Sequence, residues 1–145
     1  MEETIMKKFI RILALSLVAV MLCASLASCG APAKDAAKAE KALEDEGYTV
    51  VKDDKLTPVA FKALGYDLDC VVSGTKIVED KDGNKSVEHV SIYYVADKEN
   101  AEKALEKVKE YASDDKEDDD SDWVDATRSG SMVYYGTKAG VKAAR

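Results

Sequence analysis

The sequence predicts an α+β domain: a small antiparallel sheet with helices packed on one face. Three observations lead there. Residues 68–78 and 87–95 alternate apolar and polar side chains on either side of Asp82-Gly83, the pattern of a β-hairpin. Residues 34–46 and 98–112 repeat their apolar positions at helical spacing instead. Capping residues and glycines mark the changes from one period to the other.

Ala36, Ala39, Ala42, Leu43 and Glu46 set the phase of the first helix, over 34–46, and Gly47 is placed as its C′ residue. Residues 48–51 read as a short strand. Thr57 as N-cap, Pro58 as first helical residue and Gly65 as stop predict a short helix over 58–64. The hairpin follows, with a kink expected at Gly74. If Asp82-Gly83 is a two-residue type I′ turn, Val71, Ser73 and Thr75 fall opposite Tyr94, Ile92 and Val90, and that side faces the core. Asp97 caps a helix over 98–112 whose buried stripe is Ala101, Ala104, Leu105, Val108 and Tyr111. An acidic loop spans 114–122. Residues 123–126 and 132–135 are strand-like, with a break at Ser129-Gly130, and Thr137 caps a last short helix through Lys142.

Without the outer helices the order is strand, helix, strand, strand, helix, strand. That is the ferredoxin-like βαββαβ order, extended by an N-terminal and a C-terminal helix. The antiparallel sheet is the coarser expectation, because 58–64 makes a thin crossover. One hexapeptide, Ala-Glu-Lys-Ala-Leu-Glu, occurs at both 39–44 and 101–106. Its flanks differ, so the repeat is read as convergence of helix-forming composition rather than as duplication.

The N-terminus carries a different message. Lys7, Lys8 and Arg11 precede an apolar run over 12–22, and small residues follow up to a cysteine. Leu26-Ala27-Ser28-Cys29 resembles the lipobox of bacterial lipoprotein precursors. The resemblance implies that Cys29 is thioether-linked to a diacylglycerol and that the type II signal peptidase cuts between Ser28 and Cys29. It also implies a protein anchored in the cell membrane by its lipid and facing outward. Residues 1–28 are then the signal peptide, 29–33 a short tether and 34–145 a single domain. Cys23 follows Met21-Leu22 and lacks the two small residues that the motif needs. An uncut transmembrane anchor is the rival reading, but Gly30 and Pro32 close the uncharged stretch early. Glu2 and Glu3 stand ahead of the basic patch, so Met6 is the expected start.

Composition removes some functions. Removing 1–28 leaves 117 of the 145 residues and moves the net charge from −7 to −8. So acidic a domain repels nucleic acid. Cys70 becomes the one cysteine without lipid, which forbids an intrachain disulfide and marks it as a buried small hydrophobe.

Candidate chemistry is sparse. Asp118, Asp120 and Asp122 have the alternate spacing of EF-hand ligands, but Trp123 and Ser129 stand where glycine and a bidentate glutamate are required. Asp80, Asp82 and Asn84 fail likewise, with Lys85 and Ser91 at those places. His89 is the only histidine and has no partner in sequence, so a structural or surface histidine is expected. Each of the pairs Tyr93-Tyr94 and Tyr134-Tyr135 points one ring to either face. Ordinary half-buried strand tyrosines are the first reading; the alternative, if Tyr93 and one of the second pair share the outer face, is an exposed aromatic strip for a protein or glycan. The expectation is a monomeric, non-enzymatic, lipid-anchored interaction module without cofactor, metal or catalytic set. The alternatives are a cation-responsive surface protein acting through 114–122 and a hydrolase working through carboxylates.

Overall fold

The computed structural model describes residues 30–116 and 122–145. Cys29 and the signal segment lie outside the described residues, as do Asp118 and Asp120. The first helix, α1 (Ala36–Asp45), starts at Asp35, whose carboxylate accepts from the Lys38 N–H at 3.2 Å. It ends at Gly47, where φ is +83°. Strand β1 (Thr49–Asp53) leads into α2 (Leu56–Ala63). Here the expected cap is corrected. The Asp53 carboxylate, not Thr57, accepts the N–H groups of Lys55, Leu56 and Thr57 at 3.0, 2.8 and 2.9 Å. The Thr57 hydroxyl, which donates to the same carboxylate at 2.6 Å, and then these bonds hold its pKa down at about 2. The helix therefore opens two residues earlier than Thr57-Pro58 suggested, and Pro58 sits within its first turn.

The remaining elements are β2 (Leu68–Glu79), β3 (Lys85–Val95), α3 (Lys98–Asp115), β4 (Trp123–Ser129), β5 (Met132–Thr137) and α4 (Lys138–Ala143). All five strands form one antiparallel sheet in the order β1-β2-β3-β5-β4. The α+β class and the antiparallel sheet are as expected. The ferredoxin-like order of elements is present too, with β5 added and inserted between β3 and β4. The resemblance lies in that order, since β1 here pairs directly with β2.

Helices cover both faces of the sheet, which corrects the one-face expectation. On one face Cys70, Val72, Val90, Ile92, Tyr94, Met132 and Tyr134 pack under α1 and α4, through Ala39, Leu43, Val141 and Ala144. On the other, Val71, Tyr93, Val95, Val133 and Tyr135 pack under α2 and α3, through Phe61, Ala101, Ala104, Val108 and Ala112. The outer helices α1 and α4 each bury an apolar stripe, and they do so on the face opposite α2 and α3. The two copies of the hexapeptide lie in α1 and α3, on opposite faces.

The hairpin register is also corrected. Val71, Ser73 and Thr75 lie opposite Tyr93, Ser91 and His89, one residue away from the expected pairing. The cause is the loop. Asp80 N–H donates to Asn84 O at 2.9 Å, which encloses three residues, and only Gly83 among them takes positive φ (+81°). The Asp80 carboxylate builds this turn by accepting from the N–H groups of Asp82 and Asn84 at 2.8 and 2.9 Å. A three-residue loop closed by a left-handed glycine replaces the type I′ turn. The two-residue turn is instead at Gly130-Ser131, where Ser129 pairs with Met132 and Gly130 has φ +61°. That is the signature of type II′.

Gly74 makes no kink. The β2–β3 register is regular through it, and Leu43 fills the space a side chain would need, its δ-methyls 3.1 and 3.2 Å from an added Cβ. Residues 31–33 do not hang free. Pro32 is buried, Ala33 N–H donates to Ala144 O at 2.8 Å, and Tyr94 hydroxyl donates to Ala33 O at 2.7 Å. No helix among the described residues is long and apolar enough to cross a membrane.

Candidate binding cleft

Helix α3 runs to Asp115, three residues beyond the expected end at Ala112, and this extension builds the site. It moves Asp114 and Asp115 out of the acidic loop and into the last helical turn. Two acids at the negative end of a helix dipole, with no base in that turn, oppose the macrodipole. A contact beneath the helix holds Asp115 in place: Tyr135 hydroxyl donates to its Oδ2 at 2.5 Å. His89 Nε2 lies 3.8 Å from the same oxygen.

The strands set out the rest. Pairing of Ser91 with Tyr135 and of Tyr93 with Val133 places His89, Ser91, Tyr93 and Tyr135 on the face that α2 and α3 cover. Tyr93 and Tyr135 do share a face, as the alternation required, but they are only 7% and 2% exposed. The rings are buried strand tyrosines, and the alternative of an exposed strip is not realised. They form the floor of a cleft of ≈ 520 Å³ whose walls are Phe61 of α2 and Tyr111 of α3, with Asp114 and Asp115 at the rim.

The rings form a connected set. Tyr93 stands 5.8 Å from Phe61, 6.4 Å from Tyr111 and 6.3 Å from Tyr135, centroid to centroid. These are ordinary offset and tilted aromatic spacings. Trp123 adds a fifth ring, 5.8 Å from Tyr135, and its buried indole N–H has no hydrogen-bond partner among the described residues. Burial pushes the Tyr93 hydroxyl up to about 12. Burial, and then the bond to Asp115, raises Tyr135 as well.

His89 has the partners that sequence did not show. Its Nε2 is 3.0 Å from Ser91 Oγ, and its ring lies 6.0 Å from that of Tyr135. Burial pulls the imidazole pKa below its usual 6.5, against an upward pull from Asp115. At neutral pH the contact with Asp115 is therefore imidazole to carboxylate, not an ion pair. Ser, His and Asp stand together here without forming a relay. A relay needs the nucleophile on one ring nitrogen and the orienting acid on the other, whereas Ser91 and Asp115 both address Nε2. Ser91 is also buried in the sheet, with Ser73 Oγ at 3.3 Å.

The backbone of His89 is fixed from β5. Thr137 Oγ1 accepts from His89 N–H at 3.1 Å and donates to His89 O at 3.2 Å, and it also caps α4 by accepting from Gly140 N–H at 3.1 Å. So close an approach requires Gly136, whose φ is +148°.

The other candidates fall elsewhere. Cys70 is buried and free under α1, and burial raises its thiol pKa. Asp80, Asp82 and Asn84 make the hairpin loop. Asp122 lies 3.6 Å from Lys138. Among the described residues no three His, Cys, Asp or Glu side chains converge as metal ligands. A second cavity, of ≈ 640 Å³, opens between α1 and α4 and is lined by charges of both signs, among them Lys76, Glu88 and Arg145. Lys76 there already donates to Glu46 O at 2.8 Å, and the Tyr48 hydroxyl donates to Glu88.

Comparison with protein-family models, with characterised proteins and with solved structures gave no match.

Proposed function

We propose that the chain is a lipid-anchored, non-enzymatic binding module of the cell envelope, and that its ligand enters the cleft between α2 and α3. One observation carries the cleft reading. Four aromatic rings meet between the sheet and two helices, yet a cavity of ≈ 520 Å³ stays open over them. Its size falls within the range of small-molecule and side-chain pockets, about 300–1,000 Å³. Rings at such a junction ordinarily close on one another; an open cavity above them leaves apolar area for a ligand to cover.

The anchor rests on the basic patch, the apolar run and Leu26-Ala27-Ser28-Cys29. With residues 31–33 docked on the α1/α4 face, few residues separate a lipid on Cys29 from the folded domain. Against a Ser-His-Asp hydrolase stands the convergence of Ser91 and Asp115 on one nitrogen of His89.

Two assays test the reading. Cys29→Ser should abolish incorporation of labelled fatty acid and leave the precursor uncut; continued labelling would remove the anchor at Cys29. Small glycans, peptides and amines titrated against the full-length chain should yield binders whose affinity falls with Tyr111→Leu and not with Lys76→Ala. Turnover of any of them, lost in Asp115→Asn, would mark a hydrolase.

A further inference from the structure

Resting on the cleft reading, we infer that the ligand is an organic cation, an ammonium group on an apolar stem that lies over the tyrosine floor with its charge toward Asp115. Three independent features support this. The first is composition of the lining. Among the described residues that line it, Asp114 and Asp115 are the only charged ones, and none is a lysine or arginine. The second is the state of Asp115. Among the described residues its partners are Tyr135 and His89, a phenol and an imidazole whose charged form burial disfavours, and its half-exposed carboxylate forms no ion pair with a lysine or arginine. The third is the set of tyrosines, Tyr93 and Tyr135 in the floor and Tyr111 in the wall. Aromatic faces carry the negative part of the ring quadrupole, which attracts a cation and offers nothing to an anion.

The chain already uses this chemistry twice on its surface. Lys107 Nζ sits 5.4 Å from the Tyr111 ring centroid, and Lys76 Nζ sits 5.5 Å from that of Tyr48. The α3 C-terminus adds to the same field, since its final carbonyls point their negative ends at the rim where the two acids stand. That arrangement is unfavourable in the empty protein and favourable once a positive group arrives. The net charge of −7 draws cations toward the chain as a whole.

The test uses the full-length chain in detergent and three probes: choline, its uncharged isostere 3,3-dimethylbutanol, and N-acetyl-lysine amide. Trp123, the single tryptophan, lies beside Tyr135 and reports binding by fluorescence, with calorimetry as a second readout. Choline or the lysine amide should bind at least about tenfold more tightly than dimethylbutanol. Which of the two binds more tightly tells whether the head group arrives free or on a polypeptide. Asp115→Asn should remove most of that discrimination while leaving dimethylbutanol unchanged. Asp114→Asn, at the exposed rim, should reduce it in part without touching the Tyr135 bond. Raised salt should weaken the cations alone. Equal affinity for choline and dimethylbutanol, in parent and variants alike, overturns the cation inference and leaves the cleft reading in place. If neither cations nor neutral glycans disturb Trp123 or give heat, the cleft reading falls as well.

Discussion

Replacing Gly136 by alanine should be among the most damaging single-methyl additions in the domain. Its φ of +148° is one that L-residues rarely adopt, and an added Cβ would lie 2.2 Å from His89 O and 2.7 Å from Val90 Cα. Both atoms are backbone of a central strand, so neither can rotate away. Backbone strain costs about 1–3 kcal/mol. Forcing extra volume into packed structure costs about 1–3 kcal/mol more. The sum, about 2–6 kcal/mol, is a large part of the 5–15 kcal/mol that typically holds a domain together. Equilibrium urea unfolding measures it, with Gly130→Ala as reference. Gly130 also has positive φ (+61°), but nothing lies within 4 Å of its added Cβ, so strain alone applies. If Gly136→Ala costs no more than Gly130→Ala, β5 does not approach β3 as described, and the placement of His89 fails with it.

His89 should titrate below 6.5 by NMR, because burial disfavours its charged form, and Asp115→Asn should lower the midpoint further by removing the one pull upward. The depressed folded-state pKa means the unfolded chain takes the proton first, so this contribution is whole above pH 6.5 and is lost as pH falls below it; an unchanged midpoint in Asp115→Asn would separate the two residues. Gly83→Val should cost about 1–3 kcal/mol from its positive φ, yet act locally, since β1 pairs only as far as Thr75 and β5 only as far as Val90. Amide exchange should accelerate over 85–89 and stay slow over 90–95; loss of protection in both would mean that the arm holds the sheet register.

The elements were legible in the sequence because each carries a local signal. Asp97 and Thr137 cap their helices as their side chains suggested, accepting from Asn100 and Gly140. Gly47 and Gly65 stop theirs. Register was harder to read, because Lys81-Asp82-Gly83 satisfies a type I′ turn and a three-residue loop equally well. What decides between them is the Asp80 side chain, and one residue of difference exchanges the two faces. Alternation could not correct this, because both faces of β3 are buried from Val90 to Val95. The site is obscured because Asp114 and Asp115 open a run of like charge, which reads as a solvated loop and not as the end of α3. Its period continues nonetheless, from Tyr111 to Asp115 at i+4, and that spacing was the available clue. Phe61 reaches the cleft through helix docking, and His89 reaches Asp115 behind it through strand pairing, which no single segment encodes.

Whether ligands enter between α2 and α3 is the central question. Labelling the full-length chain with 3-fluorotyrosine and following its fluorine spectrum during titration with the amine and glycan panel answers this. Tyr93, Tyr111 and Tyr135 should shift together along one saturation curve, while Tyr48, which lines the cavity on the opposite face, should stay where it is. A shift of Tyr48 with the other three unmoved would place binding on the wrong side of the sheet and contradict the account.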